Sequence, residues 1–212
     1  MNSFYRSVGK RFIDMILSGA GVVVLSPVMA VIALLIKLES PGPVLFRQKR
    51  IGLHKKTFLI MKFRTMRTDT PQDTPTHMLA NPERYITRVG RFLRKTSLDE
   101  LPQIINILKG DMAVIGPRPA LWNQDDLAAE RDQYGANDVL PGLTGWAQIN
   151  GRDELEIPVK AKLDGEYVER MSFLFDVKCF FGTIISIFRH DGVVEGGTGE
   201  MHRREQEKAV SK

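Results

Sequence analysis

The chain has 212 residues, of which 43% are hydrophobic and 26% are charged. This length and apolar content allow a substantial core and exclude a wholly disordered chain. The one cysteine, Cys179, excludes an internal disulfide framework and a zinc site built from several cysteines.

Positive charge is concentrated in the first third of the chain. Residues 1–67 contain twelve of the 30 Lys and Arg side chains but only two acidic side chains, Asp14 and Glu39. The rest of the chain has more acidic than basic side chains, although the formal net charge of the whole is +5. The basic excess predicts that this third meets an anionic partner, such as a phosphorylated ligand or an acidic membrane surface.

A long uncharged segment occupies residues 15–36. Its 22 residues would extend about 33 Å as a helix, enough to cross a bilayer core. No small-residue cleavage site follows it, which argues against a secretory signal. Ser26 and Pro27 lie at its middle, and proline removes one helical hydrogen bond and clashes with the preceding turn. The pair therefore predicts a kink, at which the Ser26 hydroxyl can bond a freed carbonyl group.

The flanks of this segment bear on how it meets a membrane. Lys and Arg side chains both precede and follow it, and basic flanks favour the cytoplasmic side. We therefore expect a re-entrant helix within residues 1–40, with both of its ends in the cytoplasm. Two alternatives stay open: a Pro-kinked transmembrane helix, and the buried core helix of a soluble protein.

The chain beyond the apolar segment predicts short elements separated by turns. Two strands flank a basic turn with Gly52 and form a hairpin, and a polar surface loop with three prolines follows over residues 68–82. Farther on, apolar residues recur at helical spacing between Gly and Pro turns. Predicted strands span residues 44–50, 57–64 and 113–115, and a further short strand is predicted within the turn-rich residues 139–152. Predicted helices span residues 85–94, 97–109, 121–134 and 159–169.

A second apolar segment lies at residues 173–188 and contains Asp176 and Lys178. It is short for spanning a bilayer, so it suits either the membrane interface or the protein core. The chain from Gly196 onward is polar, and we expect it to be disordered.

The densest group of ionisable side chains occurs in the string RKTSLDELP. Ser97 and Glu100 have the spacing of a capping box, which by itself is a sufficient structural explanation. In the catalytic alternative, Asp99 presents a carboxylate at the positive end of a helix, beside Arg94 and Lys95. That setting would keep the carboxylate ionised and would attract a phosphorylated ligand. An aspartate can attack phosphorus to form an acyl phosphate.

Other candidate cations lie at a rigid turn and at a strand end. Arg118 stands between two prolines, where its guanidinium suits bidentate phosphate binding, although a surface arginine in a rigid turn is the commoner case. Lys62 and Arg64 end the second predicted strand on one face, where simple solvation explains them equally well. The four histidines lack metal-ligand spacing, and the sequence has no Walker A or dinucleotide-binding glycine pattern.

Several long strings occur in one order along the chain: KRFIDMILS, the apolar run with Ser26 and Pro27, SPGPVLFRQKRIG, KFRTM, RKTSLDELPQIINILKGDMAVIGPRP and PGLTGWAQINGR. Together they resemble the bacterial sugar transferase family of small monotopic phosphoglycosyl transferases, over residues 8–190. The resemblance favours the catalytic interpretation of Asp99 and Glu100 over the capping box.

The resemblance implies an enzyme that moves a sugar 1-phosphate from a UDP-sugar to polyprenyl (undecaprenyl) phosphate, which initiates synthesis of a surface glycan. It implies a ping-pong route with Asp99 as the nucleophile and Mg2+ as the cofactor. Glu100 would act as a base or would share the metal site with Asp99. Four basic residues match substrate-binding positions of the family: Lys62, Arg64, Arg94 and Arg118.

The resemblance also implies a fold and a location. The fold class is α+β and mainly helical, with a re-entrant membrane helix broken at Ser26 and Pro27, a small β-hairpin and interfacial amphipathic helices. The cytoplasmic catalytic domain would cover residues 41–190, and residues 191–212 would form the polar tail. The enzyme would lie on the bacterial inner membrane, in contact with its lipids.

The sugar and the oligomeric state are left open by the sequence. We expect an N-acetylated hexosamine such as GlcNAc, GalNAc or diacetylated bacillosamine, and a dimer is one of the open oligomeric states. Two other function classes compete: an inactive membrane-anchored scaffold, and a nucleic-acid-binding module suggested by an isoelectric point of about 9.4. Residues 84–109 are only mildly basic, and the chain opens with a lipid-compatible run, so we expect no nucleic acid as a partner.

Overall fold

The structure is a computed structural model, and it describes residues 4–70, 82–151 and 155–189. Most of the predicted proline-rich loop and the predicted disordered tail lie outside these residues. The described chain is mainly helical and contains two small sheets. The predicted α+β, mainly helical class is therefore confirmed.

Short elements follow one long N-terminal helix. Along the described ranges they are α1 (Lys10–Glu39), β1 (Leu45–Ile51), β2 (Thr57–Phe63), α2 (Arg88–Lys95), α3 (Gln103–Lys109), β3 (Ala113–Ile115), α4 (Asp125–Asp132), β4 (Gly142–Thr144), α5 (Trp146–Ile149), α6 (Ile157–Arg170) and α7 (Phe173–Arg189). The predicted strands agree with β1, β2 and β3 to within one residue at each end. Helices α2, α3 and α4 begin several residues later than predicted, because irregular turns occupy the preceding positions.

The two sheets differ in how their strands pair. Strands β1 and β2 form the predicted antiparallel hairpin, with Leu45 opposite Phe63 and Ile51 opposite Thr57. Strands β3 and β4 are parallel, with Ala113 opposite Gly142. Strand β3 contacts α1, α3 and α7, and strand β4 contacts α7. The sequence predicted β3 and a short strand within residues 139–152, where β4 lies, but it did not predict that the two strands pair.

Helix α1 continues through Pro27 without a break in its secondary structure. Proline has no N–H to donate to the carbonyl of Val23, four residues earlier. The Ser26 hydroxyl donates to that carbonyl instead, at 2.8 Å. The predicted bond from Ser26 is therefore confirmed, while the predicted break is absent from the secondary structure. A turn in the path of this helix within a membrane stays a prediction.

The helical stretch Tyr5–Glu39 is long and apolar enough to cross a membrane. Large apolar side chains on its outer surface are left exposed by the rest of the protein, and such a continuous patch needs cover from water. The exposed side chains are Phe12, Met15, Ile16, Leu17, Val23, Val24, Val28, Val31, Leu34, Leu35 and Leu38. The alternative of a buried core helix is therefore wrong.

The N-terminal half of α1 is fastened to the domain by polar side chains. The Arg11 guanidinium donates to the Ile107 carbonyl at the end of α3, at 2.7 Å. The buried Asp14 carboxylate accepts from the backbone N–H of Val114 in β3, at 3.0 Å. Gly21 faces the Ile104 side chain so closely that a Cβ atom at this position would clash with it. Helix α1 therefore packs directly on α3 and β3.

A buried carboxylate, Asp176 of α7, adds a second polar connection to this end of α1. It accepts from the Lys10 ammonium at 2.7 Å and from the hydroxyls of Tyr5 and Tyr167 at 2.6 Å and 2.9 Å. Three donors from two other parts of the chain therefore compensate its burial. The network holds α1, α6 and α7 together below the parallel strands.

The C-terminal end of α1 is packed on the same domain. Ile32 and Ile36 are buried with Phe63 of β2 and Leu93 of α2. The Glu39 carboxylate accepts from the first backbone N–H groups of α2, which lack partners within their own helix. Both ends of the apolar helix therefore contact one domain, with the exposed apolar surface between them.

Helix α7 has one buried face and one exposed apolar face. Phe175, Asp176 and Cys179 are buried against α6 and β3. The opposite face presents exposed apolar side chains: Phe173, Leu174, Phe180, Phe181, Ile184 and Ile185. The sequence predicted either the protein core or the membrane interface for this segment, and the core is confirmed for the face that carries Phe175, Asp176 and Cys179. The exposed face has the composition expected of an interfacial helix.

The buried Lys10–Asp176 pair leads to a stability prediction. Lys10→Met is expected to destabilise the protein by about 3 kcal/mol, because it leaves a buried carboxylate without its counter-charge. The measurement is chemical denaturation in detergent micelles. The matched control is Lys55→Met, which removes an exposed ion pair with Asp132 and should leave the unfolding midpoint unchanged. Equal midpoints for the two variants would contradict this role of Lys10.

Candidate active site

Asp99 and Glu100 lie in a tight turn between α2 and α3. The turn is the 3-10 segment Leu98–Glu100, and it starts at Ser97, whose φ of 56° is in the left-handed region. Pro102 is the N-cap residue of α3, a position at which a missing N–H costs no helical hydrogen bond. The predicted capping box is wrong, because the Ser97 side chain caps no helical N–H group. The Glu100 side chain is turned toward cations from other parts of the chain instead.

The Glu100 carboxylate is held by two cations. One of its oxygens, Oε1, accepts from Lys62 Nζ of β2 at 2.7 Å and from Arg118 Nη2 at 3.0 Å. The Glu100 side chain is only 17% exposed, so these interactions are weakly screened by water. Burial opposes ionisation, but Arg118 and Lys62 outweigh it and hold the pKa of Glu100 well below its ordinary value.

Asp99, the neighbouring carboxylate, has the opposite environment. It accepts no hydrogen bond and forms no close ion pair with any other described residue. Burial raises the pKa of Asp99 above its ordinary value, against the favourable charge of Lys62, and the negative charge of Glu100 raises it further. The sequence predicted a helix end that keeps this group ionised; in the folded chain desolvation outweighs that influence.

The two carboxylates therefore differ in what they can do chemically. Glu100 is a fixed anion whose charge is already balanced by protein cations. Asp99 has lone pairs available to a ligand, and its raised pKa makes it more basic, and more nucleophilic when ionised, than an ordinary aspartate. Adjacent titratable groups with pKa values pushed apart are typical of catalytic pairs.

Three of the four predicted basic residues converge on this pair. Lys62 and Arg118 contact Glu100, and the charges of Lys62, Arg94 and Arg118 all lower the pKa of Asp99. The cluster is therefore a cationic pocket around two carboxylates, as a polyanionic ligand requires.

Arg94 is placed by a residue that the sequence analysis missed. Its Nε donates to the hydroxyl of Thr65, just after β2, at 2.9 Å. The contact depends on Gly90 of α2, since a Cβ atom there would come within 2.0 Å of the Thr65 carbonyl oxygen. The sequence signals for Thr65 are its place next to the basic pair at the end of β2 and its presence in the string KFRTM.

Arg64, the fourth predicted basic residue, does not join the pocket. It is buried, and its guanidinium donates to the backbone carbonyls of Ser40 and Pro41 just after α1. Its role in the described chain is to fasten the end of α1 to the end of β2. The strand alternation placed Lys62 and Arg64 on one face, but Arg64 follows the last residue of β2, so the alternation no longer applies.

Comparison with known proteins shows to which family the chain belongs. The family model described as bacterial sugar transferase matches residues 5–190, almost the whole described chain. The chain belongs to the bacterial sugar transferase family. This confirms the resemblance of the sequence strings and favours an enzyme over the nucleic-acid-binding and scaffold alternatives.

Relatives of this sugar transferase carry specific names. It is 42% identical over 192 residues to the UDP-glucose:undecaprenyl-phosphate glucose-1-phosphate transferase of Escherichia coli (strain K12), which covers 84% of the chain and 40% of that relative. It is 40% identical over 189 residues to the exopolysaccharide production protein PSS of Rhizobium leguminosarum bv. phaseoli, with 84% and 94% covered.

A third relative is named for a different sugar. The sugar transferase is 39% identical over 184 residues to the UDP-N-acetylgalactosamine-undecaprenyl-phosphate N-acetylgalactosaminephosphotransferase of Aeromonas hydrophila, with 84% of the chain and 43% of that relative covered. The chain thus spans less than half of the Escherichia coli and Aeromonas relatives and nearly all of the Rhizobium one. Similar chains therefore bear the names of both a glucose and an N-acetylgalactosamine enzyme.

The raised pKa of Asp99 predicts that this residue costs stability. Below the pKa of the unfolded chain, about 3.9, the carboxyl is neutral in both states and the cost is absent. The cost develops as the pH rises from there and is complete above the raised folded pKa. Asp99→Asn should therefore abolish activity and be at least as stable as the wild type near neutral pH, with no difference in acid.

Thermal unfolding in detergent at neutral and acidic pH measures this effect. Asp125→Asn, which changes an exposed carboxylate in the first turn of α4, is the matched control and should gain no stability. A lower midpoint for Asp99→Asn than for the wild type at neutral pH would show that the carboxylate is a structural group.

Proposed function

We propose that this chain transfers a sugar 1-phosphate from a UDP-sugar to undecaprenyl phosphate. The observation that carries the proposal is the Asp99 carboxylate, which has no protein partner among the described residues and lies in a pocket with Lys62, Arg94 and Arg118. Both substrates are polyanions that such a pocket attracts. The names of the relatives support this donor and acceptor class.

In the proposed first step, an Asp99 carboxylate oxygen attacks the phosphorus of the phosphate that bears the sugar. An oxygen–phosphorus bond forms, and the bond to the bridging oxygen of the diphosphate breaks. UMP leaves with that oxygen and its electron pair, and the sugar phosphate stays on Asp99 as an acyl phosphate. Lys62, Arg94 and Arg118 stabilise the charge that develops on the phosphate oxygens.

In the proposed second step, an oxygen of undecaprenyl phosphate attacks the same phosphorus. A new diphosphate bond forms, the bond to Asp99 breaks, and the carboxylate returns to its starting state. Both attacking groups enter as oxyanions, so neither step requires removal of a proton by the protein. Glu100, with its depressed pKa, is a poor proton acceptor, and this favours the metal-site and anchoring role over that of a base.

The residues present fit a Mg2+ ion that is shared with the substrate. The described chain has no group of three or more His, Cys, Asp or Glu side chains that could hold a metal alone. Mg2+ commonly uses one or two carboxylates and completes its coordination with phosphate oxygens and water. Asp99 and Glu100 would supply the carboxylates, and the bound ion would neutralise charge on the diphosphate.

The placement of α1 supports a monotopic attachment to the membrane. Both ends of this helix pack on the catalytic domain, which a straight crossing of the bilayer would separate. The exposed apolar faces of α1 and α7 would enter one leaflet, and we propose the cytoplasmic leaflet of the bacterial inner membrane. The acceptor phosphate then meets Asp99 at headgroup depth while its tail stays in lipid.

Detection of the covalent intermediate tests the mechanism. Purified enzyme incubated with a UDP-sugar and Mg2+, without acceptor, should release up to one equivalent of UMP and gain the mass of one sugar phosphate on Asp99 in intact and peptide mass spectra. UDP-glucose, UDP-GlcNAc and UDP-GalNAc are compared in parallel, because the sugar is not decided by the relatives. Asp99→Asn is the control without adduct, and active enzyme that never shows the adduct would refute the ping-pong route.

Labelling of the two ends of α1 tests the topology. Single cysteines at Ser7 and Lys49, both exposed, are introduced into a Cys179→Ser background. In the monotopic arrangement a membrane-impermeant maleimide labels both positions in inside-out vesicles and neither in intact spheroplasts. Labelling of one position from each side would establish a transmembrane helix instead.

A further inference from the structure

The segment that carries Arg118 has few N–H groups that can hold its backbone. In the string Gly116-Pro-Arg-Pro119 both prolines lack an N–H, so two of the four possible backbone donors are missing. The Gly116 N–H donates to the Thr144 carbonyl at 2.8 Å, and the carbonyl groups of the segment supply further contacts. The Pro117 carbonyl accepts from Gly142 N at 2.9 Å, and the Pro119 carbonyl accepts from Arg50 Nη1 at 3.1 Å.

The carbonyl of Arg118 itself accepts from a buried guanidinium. Arg131 of α4 donates to it through Nη2 at 3.0 Å. Arg131 also donates to Asp164 Oδ2 of α6 through Nε at 2.8 Å and through Nη2 at 2.6 Å. The side chains of Arg131 and Asp164 are only 4% and 2% exposed. The backbone of the pocket arginine is therefore attached to two helices that lie outside the pocket.

The burial of the Arg131–Asp164 ion pair has a large desolvation cost, so the pair is an inefficient way to stabilise a fold. Burial raises the pKa of Asp164 in spite of the adjacent Arg131, so water is lost at a cost that the pair does not fully offset. Buried pairs of this kind can often be replaced by apolar side chains without loss of stability. What an apolar pair would not supply is the rigid guanidinium fork, which orients one carbonyl while it is itself fixed by a carboxylate.

We propose that Arg131, fixed by Asp164, is a positioning residue that sets the direction of the Arg118 side chain through the Arg118 carbonyl. The inference rests on the proposed function, because it assigns Arg118 a contact with the reacting phosphates. Arg131 is buried beneath the string and contacts its backbone, so it acts on the reaction through Arg118. Loss of the fork lets the string shift, and the Arg118 guanidinium then leaves Glu100 and moves away from Asp99.

Two variants remove the fork in different ways. Arg131→Lys keeps the positive charge near Asp164 but cannot bind the carboxylate and the Arg118 carbonyl in one plane. The double variant Arg131→Met with Asp164→Leu replaces the ion pair by apolar side chains and keeps the fold testable if the single change destabilises it. Lys55→Met is the matched control, since it removes an exposed ion pair with the same helix, at Asp132.

The measurement is the pH dependence of kcat/KM for transfer to undecaprenyl phosphate in micelles. Each fork variant should lose about tenfold or more in kcat/KM, the size of effect that small misplacements produce. The acid limb of the pH profile of kcat/KM should also move to higher pH in each fork variant. The reason is that Arg118 no longer helps Lys62 and Arg94 to lower the pKa of Asp99. The control variant Lys55→Met should keep the wild-type kcat/KM and the wild-type position of the acid limb.

A double-mutant cycle separates positioning from a general structural effect. In an Arg118→Gln background, Arg131→Lys should cause little further loss, because the group that it positions is absent. Unchanged rate and acid limb in both fork variants, or full additivity with Arg118→Gln, would overturn the proposal. If Arg118→Gln is too slow to measure, Arg118→Lys serves as the background of the cycle instead. A wild-type enzyme that performs no transfer would refute the proposed function itself, and active enzyme with additive losses would refute only the positioning role.

Discussion

The site depends on one constraint, the two cations on Glu100. A carboxylate that is largely withdrawn from water needs counter-charges, and Lys62 and Arg118 supply them at 2.7 Å and 3.0 Å. These residues come from β2 and from the string after β3, so the hairpin and the parallel strands must meet at the turn that carries Glu100. Asp99 is then held beside the pair without a hydrogen-bond partner of its own among the described residues. The same interaction that anchors one carboxylate leaves the next one available for chemistry.

The apolar helix α1 and the candidate site are connected through the same strands. Asp14 of α1 binds the Val114 N–H of β3, and β3 leads directly into the string that carries Arg118. At the other end of α1, the Arg64 guanidinium donates to the backbone carbonyls that follow the helix. Arg64 itself lies just after β2, two residues beyond Lys62. The apolar helix is therefore a structural part of the pocket, and in the proposed monotopic arrangement its contacts with the domain would set the depth of Asp99 in the membrane.

Local pattern was sufficient for some elements and misleading for others. The hairpin and β3 were predicted because alternation and turn residues act over a few positions. The capping box at Ser97 had the right spacing but the wrong backbone, since a positive φ is decided by how the turn packs. Arg64 matched the family motif and yet binds backbone carbonyls. Thr65 and Arg131 were missed because each is one polar residue whose partner lies far away in the sequence.

The sequence by itself determined the class of the protein, the apolar helix with its basic flanks, and the Asp–Glu pair as the candidate chemistry, because composition, periodicity and contiguous motifs are properties of neighbouring residues. Only the tertiary structure decided which carboxylate is neutralised and which is left for a ligand, and which cations do the neutralising. Those outcomes depend on burial and on charges contributed by residues that are remote in the chain, and a pKa responds to both. The two-ended packing of α1 was likewise decided by the fold, because it requires contacts with β3 and α2 that no local pattern encodes.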